Sequence, residues 1–250
     1  MKTSQSLGNM FLVRLFAVAL AMPGLAILVS NKAFAADPVT NAMQAAYGPY
    51  RAALFKTNQN SQSESQAAIE QARQSWSVVA TKFGSAPPAP YDQDKAFAAS
   101  LAEVSKIYDK AAGEIGKNEL SDAHETLEHA RDIMAEIRRR NNVIVYSDHM
   151  NAYHAQMERV LIDGPKTLAG SNGLLELTAQ TGALEFLAAR LGGEAPAALR
   201  EQDEFKTMVA AVQKSVADLK AALFTRDEAK VKDALAKLKV PYSKMFIKFG

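Results

Sequence analysis

No cysteine occurs in the 250-residue chain. That single absence excludes disulfide staples, iron–sulfur clusters, covalently attached c-type haem, thiolate zinc sites and a cysteine nucleophile. Nucleotide signatures are missing as well, since neither G-x-x-x-x-G-K-[ST] nor G-x-G-x-x-G is present. There is no G-x-S-x-G nucleophile elbow, and His124-Glu125 is followed by His129, which is the wrong spacing for a zincin helix. With no nucleophile constellation and no cofactor motif, the chain reads as a binding protein rather than an enzyme. At 48% hydrophobic and 22% charged residues it is too apolar for a disordered chain and too charged for a polytopic membrane protein.

The long hydrophobic run is confined to the beginning. Lys2 and Arg14 bracket a polar start, residues 15–29 are almost entirely apolar, and Ala33-Phe34-Ala35 supplies a small-x-small triplet. A basic stretch, an apolar stretch and an A-x-A site describe a secretory signal peptide cleaved after Ala35. Pro23-Gly24 interrupts the run, which is short for a membrane span, so no membrane insertion of the remaining chain is expected. The expected location is periplasmic or secreted, an oxidising space that a cysteine-free protein tolerates. Charge follows the same division. Residues 1–35 hold three cations and no acid, so Lys+Arg falls from 29 to 26 against 27 Asp+Glu, and +2 becomes −1. The weak basicity belongs to the leader, and no attraction to nucleic acid is implied.

Beyond Ala36, apolar residues recur at three- and four-residue spacing with little period-two alternation, among many Ala, Leu, Glu, Lys and Gln. The expected fold class is all-α, an antiparallel bundle of helical hairpins with four-helix-bundle-like repeats. Residues 1–35 are the leader, 36–84 a helical hairpin, 85–91 a proline-rich linker, 92–163 a helical region and 164–250 a C-terminal helical region. Within these, helices are expected over 38–56, 61–83, 92–115, 119–140 and 143–162, the last closed by Gly164-Pro165. Further helices follow to about 191, from 198 or 204 to 224, and to 240, with Pro241 starting a final turn. An internal echo links Arg51-Ala52-Ala53-Leu54-Phe55 to Lys220-Ala221-Ala222-Leu223-Phe224, and Lys82-Phe83-Gly84 to Lys248-Phe249-Gly250. The spacing between copies differs, so hairpins of one general design are expected and a strict solenoid is not.

All four histidines fall between positions 124 and 154: His124, His129, His149 and His154. If the chain reverses near Asn141, residues whose numbers sum to about 282 stand at one height. His124 then faces Glu158, and Glu128 faces His154; each histidine also shares a helix face with its glutamate at i,i+4. Two imidazoles and two carboxylates on facing helices form a ligand set suited to Zn, Fe or Mn, and the flanking Met150 and Met157 keep Cu open. His129, His149 and Asp132 are candidates for a second site or for hydrogen-bond partners around the first.

A metal-free reading stands beside this one. The same histidines lie on core seams (Leu120, Leu127 and Met134; Met150, Met157 and Leu161), where each would simply hydrogen-bond a facing glutamate. Glu125, Glu128, Asp132 and Glu136 would then be a solvated acidic face paired with Arg131 and Arg138. In that case the protein is a helical adaptor for an envelope protein, with an apolar groove near Trp76 and Tyr242. A third reading places haem b between His154 or His124 and Met134 or Met150, although nearby acids oppose it.

Overall fold

The computed structural model describes residues 37–250; the expected signal peptide lies outside the described residues. Among these residues every regular element is a helix. They are α1 (Pro38–Asn58), α2 (Gln62–Phe83), α3 (Phe97–Gly116), α4 (Leu120–Arg140), α5 (Tyr146–Leu168), α6 (Gly173–Gly193), α7 (Ala197–Arg200), α8 (Asp203–Thr225), α9 (Glu228–Ala236) and α10 (Lys239–Phe249). None of them is long and apolar enough to cross a membrane.

Local chemistry sets the ends. Asp37 accepts from the Thr40 amide at 2.8 Å, and Asp227 accepts from the Ala229 amide at 3.0 Å, so α1 and α9 each begin on an aspartate cap. Asn60, Asn118 and Asn142 reverse the chain after α1, α3 and α4, each with φ between 55° and 63°. Asparagine tolerates this left-handed conformation better than other residues with a Cβ. The all-α architecture follows, with close pairing of α1 with α2, α2 with α3, α3 with α4, α5 with α6, and α8 with α6, α9 and α10.

Several boundaries differ from expectation. Residues 91–96 form turns instead of the start of α3, because Asp94 accepts from the Ala96 amide at 3.0 Å and its carbonyl from the Phe97 amide. Gly164-Pro165 does not close α5, which continues to Leu168. Gly164 is buried against Leu177 of α6 and Leu235 of α9, and this packing carries the helix through the pair. Pro165 sits on the exposed side of the final turns, where a lost backbone donor costs least. Pro241 lies in the first turn of a full helix, α10, because first-turn amides have no partner within the helix anyway. The internal echo is therefore incomplete: where α2 is one continuous helix, its counterpart after α8 is broken into α9 and α10.

Trp76 and Tyr242 are both buried; Tyr242 nevertheless lines a half-open pocket. Trp76 donates to the Leu101 carbonyl at 3.0 Å and meets Tyr108 edge-on. Tyr242 donates to the Met150 carbonyl at 3.1 Å and stacks on Tyr153. Both are core aromatics with a satisfied polar tip.

Candidate metal centre

α4 and α5 run past one another at side-chain distance and are not among the closely packed helix pairs. Long side chains bridge the interval: Arg131 reaches His154, and Arg138 reaches Asp148. These pairings place an antiparallel crossing close to the expected register. Two further helices complete the surroundings. α1 contributes Leu54, Phe55 and Asn58, and α10 contributes Lys239, Tyr242 and Phe246. Arg51 pins α10 against α1 by donating to the Phe246 and Ile247 carbonyls at 2.8 and 3.2 Å. The result is a half-open pocket of about 490 Å³, counting space open to solvent, with a largely apolar wall from α1 and α10 that also carries Lys239, and a charged wall from α4 and α5.

His124, Glu128, His154 and Glu158 all line it. Ligand atoms of Glu128, His154 and Glu158 lie within 4.8 Å of one another. His124 stands at the edge of this group, its Nε2 being 3.8 Å from Glu128 Oε1. His154 Nε2 is 3.2 Å from Glu158 Oε1, and the Tyr242 ring stacks on the His154 imidazole at 5.3 Å between centroids.

The remaining expected residues lie elsewhere. His129 is exposed on the far side of its helix turn, because positions 128 and 129 differ by about 100° around α4. His149 is half-buried near the charges of Arg190 at the end of α6 and of Glu194 just beyond it, and burial followed by Arg190 lowers its pKa. Asp132 is exposed and touches Arg131 Nε at 3.4 Å. Neither Met134 nor Met150 lines the pocket; both are buried in the core.

Hydrogen bonds set which nitrogen of each imidazole carries the proton. His124 Nδ1 lies 3.0 Å from the Leu54 carbonyl, which can only accept, so Nδ1 is protonated and Nε2 presents its lone pair to the pocket. Thr57 Oγ1, at 3.2 Å, lies beside the same nitrogen. Burial lowers the His124 pKa, with Glu128 partly opposing, and favours the neutral ring. His154 has the reverse arrangement: Arg131 has only donors, so His154 Nδ1 accepts from Arg131 Nη1 at 3.1 Å and Nε2–H donates to Glu158. That donation holds the Glu158 carboxyl below the usual carboxylate range; burial opposes it, and Arg131 and Lys239 reinforce it.

Arg131 is the pocket residue that the sequence placed differently. It does pair with Glu128, at 3.4 Å, but on the inner wall of the pocket rather than on a solvated face. Arg138 likewise turns inward onto Asp148, whereas Arg139 pairs with Glu136 and Arg140 with Asp94. The seven-residue step from His124 to Arg131 was a visible signal, since it puts both on one helix face. No family model, curated protein or solved structure matches this chain.

Proposed function

We propose that this protein is exported and binds a divalent transition-metal ion in the pocket between α1, α4, α5 and α10, for capture, delivery or sensing. The observation that carries the reading is the convergence of Glu128, His154 and Glu158 within 4.8 Å, with the His124 Nε2 lone pair beside them. Imidazole nitrogen with carboxylate oxygen is a donor set for Zn, Fe, Mn or Cu. Each histidine also has its other ring nitrogen engaged, with a backbone carbonyl for His124 and with Arg131 or Glu158 for His154, which fixes ring orientation. Export is supported by the leader-like pattern of residues 1–35, and predicts a purified envelope protein beginning at Ala36.

Titration of the chelator-treated protein with each ion, followed by calorimetry and elemental analysis, tests the metal reading. Binding is expected to weaken by about 100-fold or more in a His124→Ala/His154→Ala variant. Equal affinity in the two proteins would falsify the reading.

A further inference from the structure

The tautomers distinguish the ring atoms able to take an ion from those already committed. Lone pairs are presented by His124 Nε2 and by His154 Nδ1, while His154 Nε2 carries a proton directed at Glu158. One guanidinium nitrogen, Arg131 Nη1, lies on two of the best acceptors in the pocket: His154 Nδ1 at 3.1 Å and Glu128 Oε1 at 3.4 Å.

We propose that Arg131 is a resident cation that an incoming metal ion displaces, and that the ion takes His154 Nδ1 and Glu128, with His124 Nε2 closing in from the edge of the group, 3.8 Å from Glu128 Oε1. Glu158 then stays outside the ligand set as a positioning residue, accepting from His154 Nε2–H. This rests on the metal-binding reading of the pocket and identifies the atoms and the exchange it requires.

Three observations carry it. Coordination through His154 Nδ1 keeps the existing tautomer with Nε2–H toward Glu158, whereas coordination through Nε2 would require the ring proton to move to Nδ1 and would give up that contact. A histidine ligand whose second nitrogen donates to a carboxylate or to a backbone carbonyl is held in the orientation and tautomer that metal binding needs. Glu158 and the Leu54 carbonyl supply those two partners here. Arg131 also has a place to go: its Nε is already 3.4 Å from the exposed carboxylate of Asp132, so the side chain can move outward without losing an ionic partner. The Asp132 carboxylate thus acts on the guanidinium and not on the metal.

Displacement has a consequence for selectivity. An ion that binds two imidazoles and one carboxylate strongly can replace a guanidinium held by long, shared hydrogen bonds. Hard ions that prefer all-oxygen shells, such as Ca²⁺ and Mg²⁺, cannot.

The test uses chelator-treated full-length protein and Zn²⁺ as the probe. Nitrogen-15 spectra of the histidine rings are expected to show His124 protonated at Nδ1 and His154 at Nε2. Zn²⁺ should then shift His124 Nε2 and His154 Nδ1. Arg131→Gln is expected to bind Zn²⁺ about tenfold more tightly than wild type, the scale of one charge-assisted hydrogen bond. Zn²⁺ on His154 Nε2, or an Arg131→Gln affinity no higher than wild type, overturns this inference while leaving metal binding intact. Absence of binding by both proteins at millimolar Zn²⁺, Cu²⁺, Fe²⁺ and Mn²⁺ overturns the metal reading with it. The spectra are recorded on wild type, so they decide the question even if the variant fails to fold.

Discussion

Seven residues separate Arg131 from Arg138 on α4, so the two guanidiniums share a helix face and both reach α5. Arg138 is 1% exposed and grips a single partner: its Nε lies 3.2 and 3.0 Å from the two Asp148 oxygens, and its Nη2 bonds the same carboxylate. Asp148 also accepts from the Val145 amide at 3.0 Å, tying the pair to the start of α5. Arg131 instead spreads 3.1–3.4 Å contacts over His154, Glu128 and Asp132 at the wall of a pocket. The comparison separates two uses of one residue type. A largely buried bidentate pair ties α4 to the start of α5, whereas a cation sharing several longer bonds beside open space is the arrangement the proposed exchange requires.

The largest effect is expected at the structural end. Arg138→Met leaves Asp148 half-buried without its partner, and denaturant unfolding should show a loss of about 3–5 kcal/mol. An Arg138→Met/Asp148→Leu double variant should recover part of that stability but not all, because the α5 start loses its side-chain acceptor at a cost of about 1 kcal/mol. Full recovery would mean that the cap contributes nothing.

Next in size is the ligand effect. At about 100 times its dissociation constant a bound ion adds about 2.7 kcal/mol, so saturating metal should raise the wild-type melting temperature. The His124→Ala/His154→Ala variant should show no such rise, while Arg138→Met, if it folds, should retain it.

In chelator, Arg131→Gln should change unfolding free energy by no more than about 1 kcal/mol, well below the Arg138 effect. A loss equal to that of Arg138→Met would erase the distinction between the two arginines.

The smallest effect is a pH slope. Burial keeps the folded His124 pKa below its ordinary value of 6.5, so near that pH the unfolded chain binds more protons than the folded one. Stability should therefore fall as pH drops from 7 through 6.5, levelling once the folded ring is also protonated. His149, also lowered by burial, adds to the slope. In urea titrations across this range His124→Gln should flatten the fall; an unchanged slope would assign it to His149 instead.

Much of the helical framework was legible because backbone periodicity is local. The three asparagine reversals at 60, 118 and 142 fall where the sequence breaks its apolar pattern. The Glu128–His154 approach was also readable, since the chain reverses near Asn141 and helical rise then sets which residues stand at one height. Gly164-Pro165 misled for the opposite reason. A helix-breaking pair is a local signal, and packing of α5 against α6 and α9 overrode it.

The pocket's other wall had no local signature. α10 is more than eighty residues from His154 in sequence, and the Tyr242 ring on that imidazole is a long-range contact. The Leu54 carbonyl that orients His124 is backbone, and any residue type would supply it.

By itself, then, the sequence determined that the chain is helical, free of thiol chemistry, and carries its histidines and acids on two neighbouring helices. Helix spacing and residue chemistry suffice for that. Tertiary structure alone decided that α1 and α10 close over those side chains, that His124 and His154 adopt opposite tautomers, and that Arg131 bridges Glu128 and His154 at the pocket wall. Tautomer and ion pairing depend on which donors and acceptors lie within about 3 Å, and that distance is set by packing among helices remote in the chain.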